Sequence, residues 1–149
     1  MAESRPGWVI DANVAIKLAI AQPGSAQADA LIQHALAHPG ITLWVPDFFL
    51  AECASALVTY VRQTSYSADE AREDLEALLA LPWQAVPAAE LAEAALAAAL
   101  AWGISGYDAF YVALAQREQV PLVTADEKLV RGLAGKPVPV VVLQQLTLP

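Results

Sequence analysis

Four carboxylates in this sequence stand among residues that offer a charge little welcome: Asp11, Glu52, Asp108 and Asp126. Asp11 is the only charged residue between Arg5 and Lys17 and follows directly on the apolar run Trp8, Val9, Ile10. Asp126 repeats that arrangement after Pro121, Leu122, Val123, Thr124 and Ala125. Glu52 is the sole charge in FFLAECASALVTYV, with Phe48, Phe49, Ser55 and Ala56 one helical turn away. Asp108 is the sole charge between Glu93 and Arg117, at the head of YDAFYVALAQ, where Phe110, Val112 and Leu114 are available for packing. An ionised carboxylate buried without a partner costs several kcal/mol or gives up its charge, and few basic residues lie nearby to pair with these four. A hard divalent cation removes the conflict. Magnesium (Mg2+), or manganese (Mn2+) in its place, takes oxygen ligands, keeps several waters, and binds through one or two carboxylates plus a substrate phosphate. Each acid also has a plainer reading. Asp11 can cap a helix beginning near Asn13, Ser105 with Asp108 fits a capping box, and Thr124 with Glu127 fits another that leaves Asp126 as a first-turn dipole partner. Four isolated acids, two at equivalent strand ends and two on helices able to pack beside them, are harder to explain as independent caps than as one site.

The elements that must position them follow from the patterning. Short apolar runs alternate with long helical patterns, which is the signature of a mainly parallel sheet covered by helices. Strands are expected at Trp8 to Ile10, Thr42 to Val45, Trp83 to Val86, Leu122 to Thr124 and Val138 to Leu143. Helices are expected near Asn13 to Ile20, Ser25 to His38, Phe48 to Gln63, Ser67 to Ala80, Ala89 to Trp102, Tyr107 to Glu118, and Asp126 to Leu133. Pro46, Pro82, Pro87, Pro121 and Pro137 fall at the element ends, where a missing backbone donor does least harm. In an open parallel sheet the carboxyl ends of the strands are where ligands bind, and Asp11 and Asp126 fall there. Ser67 with Glu70 forms a capping box, and Glu90 and Glu93 sit early in the fifth helix, so these acids read as structural. Asp69, Glu70, Glu73, Asp74 and Glu76 belong to a solvated face.

Composition bounds the rest. A chain of 149 residues without repeat or linker is expected to form a single α/β domain over 1–149, large enough to bury a core without disulfides. Cys53 is the only cysteine, which excludes an internal disulfide and a multi-thiolate zinc site within one chain. It reads as a small core residue. His34 and His38 lie away from the strand ends and read as solvated. The 57% hydrophobic content comes largely from Ala, and no apolar run reaches the ~20 residues of a spanning helix. No membrane association is expected. The start MAESRPGWVID has no basic, then apolar, then small-residue leader pattern, so a cytoplasmic location is expected. The net charge of −8 opposes unaided binding to nucleic acid, unless bound cations invert the local field or basic residues gather on one face. Lys128, Arg131 and Lys136 are three of only eight basic residues and lie close together. An acidic surface also suits a basic protein partner.

The segments VIDANVAI, PDFFLAECASAL, SGYDAFYVALA and PLVTADEKL, in this order and spacing, resemble the PIN domain, and especially the VapC-like ribonuclease toxins of bacterial type II toxin–antitoxin pairs. The likeness spans most of the chain and is most specific in YDAFYVALA and LVTADEKL. It implies a PIN-like three-layer fold with a five-stranded, mainly parallel sheet. It also implies a metal-dependent endoribonuclease, normally a homodimer, blocked by a small cognate antitoxin. Carried over, the acidic site falls on Asp11, Glu52, Asp108 and Asp126, with Asp11 and Asp108 the foremost metal ligands and Asn13 and Thr124 as supporting groups. Where many relatives carry Asn three residues after the helix glutamate, this chain has Ser55. The implied chemistry is hydrolysis of RNA phosphodiesters by a metal-activated water, with Lys128 and Arg131 expected to hold RNA phosphates.

Two other readings fit parts of the sequence. An Asp after an apolar strand, as in WVIDANVAI, is also how a haloacid-dehalogenase-like phosphatase presents its nucleophile. That chemistry usually wants a second Asp where Asn13 stands, and it leaves Glu52 unexplained. A non-catalytic PIN-like module that binds a partner protein would suit the low basic content, with Phe48 and Phe49 as an interface patch.

Overall fold

Runs rich in Val, Leu and Trp favour the extended, half-buried backbone of a sheet, and five of them become strands: β1 (Gly7–Ile10), β2 (Thr42–Pro46), β3 (Trp83–Val86), β4 (Leu122–Thr124) and β5 (Val140–Val142). The computed structural model of the chain describes residues 6–148. Residues 1–5, which hold Arg5 and much of the segment read for an export signal, lie outside the described residues, as does residue 149. The strands run in the order β3-β2-β1-β4-β5 and every neighbouring pair is parallel. Parallel neighbours need crossover connections, which the helices supply: α1 (Ala12–Ala19), α2 (Ser25–Ala37), α3 (Phe49–Gln63), α4 (Ala68–Leu79), α5 (Ala88–Trp102), α6 (Gly106–Glu118) and α7 (Glu127–Gly132).

The chain winds outward from β1 to β2 and β3 on one side and to β4 and β5 on the other, so the strand order reverses between β1 and β4. That reversal leaves a crevice beyond the strands' carboxyl ends. α6 packs on β1, β2 and β4, with α5 against its outer side, while α1 packs against α2 and α3. The core gathers Val9, Ile10, Leu43, Phe49, Leu57, Leu91, Leu114 and Leu122, all buried. α6 buries Ala109, Tyr111, Val112, Ala113, Leu114 and Ala115 in unbroken or near-unbroken succession, as expected of a helix covered on several sides. Among the described residues no single helix is long and apolar enough to cross a membrane; α5 and α6 together reach that length but meet at 114°. Cys53 is buried in the core, where burial and the neighbouring carboxylates push its thiol up to about 12 and keep it inert.

Element ends differ from expectation by a residue or so except at β5. The expected strand Val138 to Leu143 shrinks to Val140–Val142. The Val138 amide is turned back to the Lys136 carbonyl at 2.8 Å, Pro139 has no N–H to offer, and Leu143 opens a 3-10 turn over Leu143–Gln145. The α4 capping box forms as read, with Ser67 and Glu70 bonded reciprocally. Phe49 is fully buried, whereas Phe48 is half-buried among the edges of Tyr107, Phe110 and Tyr111, so the pair is no exposed interface patch.

Candidate functional site

Asp11 is the residue after β1, and its amide donates to the Val123 carbonyl of β4 at 3.1 Å, so the pairing of the two strands fixes where it stands. It is 7% exposed. Its Oδ2 accepts the Thr124 hydroxyl at 2.9 Å and the Asn13 Nδ2 at 3.3 Å, and its Oδ1 accepts the Asn13 amide at 3.4 Å as the N-cap of α1. Asn13 also donates to Thr124 Oγ1 at 3.2 Å and accepts the Ala125 amide at 3.0 Å. The two residues expected to support the site therefore tie the ends of β1 and β4 together with Asp11 between them. Thr124 is fully buried and no helix cap. Asp126 is itself the N-cap of α7, its Oδ1 accepting the amides of Lys128 at 2.9 Å and Leu129 at 3.1 Å, which corrects the reading of Thr124 with Glu127 as the capping pair. The reason is positional. Thr124 still belongs to β4, and its hydroxyl is already engaged with Asp11.

Glu52 comes from the first turn of α3, held against α1. Its Oε1 accepts the hydroxyl of buried Tyr111 at 2.6 Å. Burial pushes the Tyr111 phenol well up, so it stays protonated and keeps donating. Asp108 sits in the first turn of α6, whose N-cap Ser105 accepts the Asp108 amide at 3.1 Å. Asp11, Glu52, Asp108 and Asp126 line one cavity of about 590 Å³ at the strand-order reversal, together with Asn13, Lys17, Gln22 and Tyr60. Capping and site-building thus coexist: Asp11 and Asp126 cap helices, Glu52 and Asp108 lie in first turns, and all four line the same space.

Burial raises Asp11 to about 7, against a lowering by Thr124 and with Asp108 and Glu52 adding like charge. Burial also raises Asp108, with Asp126 pressing the same way. Among the described residues no cation pairs with these carboxylates, and carboxylates that resist ionisation are suited to a metal ion, which supplies positive charge. The donors are hard oxygens, matching magnesium or manganese. Among the described residues no three His, Cys, Asp or Glu side chains are drawn tightly enough to cage an ion alone. Magnesium keeps several waters and binds through one or two carboxylates, so a site for it needs no closed cage.

The remaining residues fall as follows. Ser55 is exposed and does not line the cavity, so the departure noted there leaves the space unaltered. Lys128 and Arg131 are exposed on α7 and line no part of it. Two contributors escaped the sequence. Tyr111 is one of several aromatics in a row, and only the packing of α6 on α3 shows it meeting Glu52. Lys17 reads as a basic residue in the last turn of α1, where a helix dipole accounts for it. A separate groove of about 280 Å³ between α3 and α4 is lined by Leu57, Val58, Val61 and Leu75 with Arg62 and Arg72 at its edges, and offers no acid or nucleophile.

A parallel α/β sheet with acids gathered at its topological switch point defines the class of protein. The PIN domain profile matches residues 8–132, and the chain belongs to the PIN domain family. Solved structures share the fold. A VapBC2 assembly of Rickettsia felis, bound to a promoter DNA fragment, is 13% identical with a TM-score of 0.65, covering 91% of this chain and 98% of its own. A toxin–antitoxin complex of Klebsiella pneumoniae is 18% identical at TM-score 0.64, covering 93% and 98%. The Mycobacterium tuberculosis VapC20, a sarcin-ricin loop cleaving toxin, is 16% identical at TM-score 0.63, covering 86% and 95%. At these identities the likeness is one of fold. No curated protein sequence is a significant match to the chain. Family membership leaves the haloacid-dehalogenase-like alternative without support.

Proposed function

We propose that this chain is a divalent-metal-dependent endoribonuclease, the toxin of a toxin–antitoxin pair, acting in the cytoplasm as a homodimer and restrained by a cognate antitoxin. The observation that carries the reading is the convergence of Asp11, Glu52, Asp108 and Asp126 on one cavity at the switch point of a PIN fold. Solved proteins of like fold include toxin–antitoxin complexes and a toxin that cleaves the sarcin-ricin loop, which supports RNA as the substrate.

Asp11 and Asp108 would be the foremost residues to hold magnesium or manganese, with Glu52 and Asp126 on the same cavity lining. The bound ion would supply Lewis acidity, lowering the proton affinity of water and offsetting charge on the phosphate in the transition state. The protein's part is orientation. Thr124 and Asn13 fix the plane of the Asp11 carboxylate, Tyr111 restrains Glu52 by one oxygen, and the α7 amides restrain Asp126 by one. Among the described residues the second oxygen of Glu52 and of Asp126 accepts no hydrogen bond, whereas both oxygens of Asp11 are engaged. Preorganised groups of this kind need not reorient as charge develops, which is where they lower a barrier.

The test is cleavage of a mixed structured RNA by purified protein with magnesium or manganese, with EDTA, and with an Asp108→Asn variant. Cleavage that needs metal and is lost in the variant is expected. Metal binding by calorimetry without cleavage would point instead to a PIN-like binding module, and no metal binding would return the four acids to a capping role.

A further inference from the structure

A cavity lined by four carboxylates repels a polyanion until something positive offsets it, and among the described residues Lys17 is the only basic side chain on its lining. The α1–α2 connection is shaped around that side chain. Lys17 Nζ donates to the Pro23 carbonyl at 2.7 Å and to Gln22 Oε1 at 3.2 Å. Gln22 is itself fixed: its amide bonds Ser25 Oγ at 3.0 Å and its Nε2 bonds the Ile20 carbonyl at 3.3 Å. Gly24 has a φ of 96°, and a Cβ there would meet Lys17 Cδ and Cε at 3.1 and 3.2 Å, so the loop passes close over the lysine stem. Both partners of the ammonium are neutral oxygens. Among the described residues it makes no ion pair, although acids share its cavity. Two of its three N–H donors are used, leaving one for a ligand.

We propose that Lys17, clasped by Gln22 and Pro23, is the binding residue for a backbone phosphate of the single-stranded RNA entering the carboxylate cavity. The assignment rests on the nuclease reading and gives that site its anion contact. A lysine whose role is only to staple the α1–α2 loop would have no reason to stand on the lining with its charge uncompensated. Exposed Lys128 and Arg131 lie off the lining.

The experiment measures cleavage of an unstructured oligoribonucleotide across a salt series, with Lys17→Gln and Lys17→Arg beside the parent chain and thermal melting of all three. Lys17→Gln is expected to raise KM roughly tenfold with kcat changed by less than about threefold, and to reduce the slope of log KM against log salt by about 0.7, the share of one single-strand phosphate. Lys17→Arg keeps the charge and should recover most of the slope. An unchanged KM and slope in Lys17→Gln would overturn the assignment while leaving the nuclease reading standing, as would a loss confined to melting temperature. Binding of the same oligonucleotide in calcium separates the two ideas in the other direction. A Lys17-dependent salt slope for binding in calcium, together with no cleavage in magnesium or manganese, would keep the phosphate contact and sink the nuclease. No binding by the parent chain, with no cleavage in magnesium or manganese, would sink both.

Discussion

Thr124 carries no charge, yet three groups depend on its hydroxyl: it donates to Asp11 Oδ2 and accepts from Asn13 Nδ2 and the Asp126 amide. Thr124→Val keeps the shape and removes all three bonds inside a fully buried site. Leaving buried donors unmet costs on the order of 1–3 kcal/mol. The same change removes the contact that lowers Asp11, so its carboxyl should ionise at a pH above the present value of about 7. Metal uptake requires the ionised form. Manganese titrations by calorimetry from pH 6 to 9 should therefore show the half-binding pH moving up in Thr124→Val; an unmoved midpoint would mean Asp11 is not the titrating ligand. At this scale the sequence was informative where chemistry and surroundings disagreed. Asp11, Glu52, Asp108 and Asp126 stood out because each was a lone charge in apolar company. Lys17 and Tyr111 did not, because a lysine near a helix end and a tyrosine among aromatics are ordinary locally; the bond to Glu52 across the fold brings in Tyr111, and the cavity lining brings in Lys17.

Helix α6 shows how an element can aim a functional group. Ser105 caps it, and Asp108 lies three residues on, its amide bonded to the cap hydroxyl. Ser105→Ala should cost about 1 kcal/mol in stability through the lost cap. Because the turn that frays is the one carrying Asp108, metal affinity should fall with it, and Ser105→Asn, another good capping residue, should restore both. Equilibrium urea melts and metal titrations check this; affinity unchanged in Ser105→Ala would detach the cap from the site. The strands and helices were legible because period and proline placement agree along most of the chain. The expected strand Val138 to Leu143 is longer than β5 because an apolar run does not reveal that the Val138 amide turns back to Lys136 or that Leu143 has begun to turn. α7 was read correctly as a helix after β4 but with the cap assigned to the wrong residue, since Thr124 and Asp126 are both good caps and only the end of the strand decides between them.

For the whole molecule, charge and pH are coupled through the cavity. The chain carries a net charge of −8, and Asp11 binds its proton more tightly when folded, at about 7 against an ordinary 3.8. A carboxyl raised on folding leaves its contribution intact below about pH 4 and withdraws it as pH climbs to about 7, after which the penalty is constant and on the order of a few kcal/mol. In EDTA, melting temperature should therefore fall from pH 4 to 7 more steeply for the parent chain than for Asp11→Asn, which has no charge to bury there. A bound cation reverses the sign. Metal selects the ionised carboxylate, and saturation at about a hundred times Kd adds about 2.7 kcal/mol. At pH 8 with millimolar manganese the parent chain should melt higher than in EDTA, while Asp11→Asn gains little. Equal slopes for the two proteins in EDTA would place the pH dependence elsewhere among the acids. An equal gain from manganese would remove Asp11 from the metal site, and with it the account of why an acidic fold keeps a buried carboxylate at the end of its central strand.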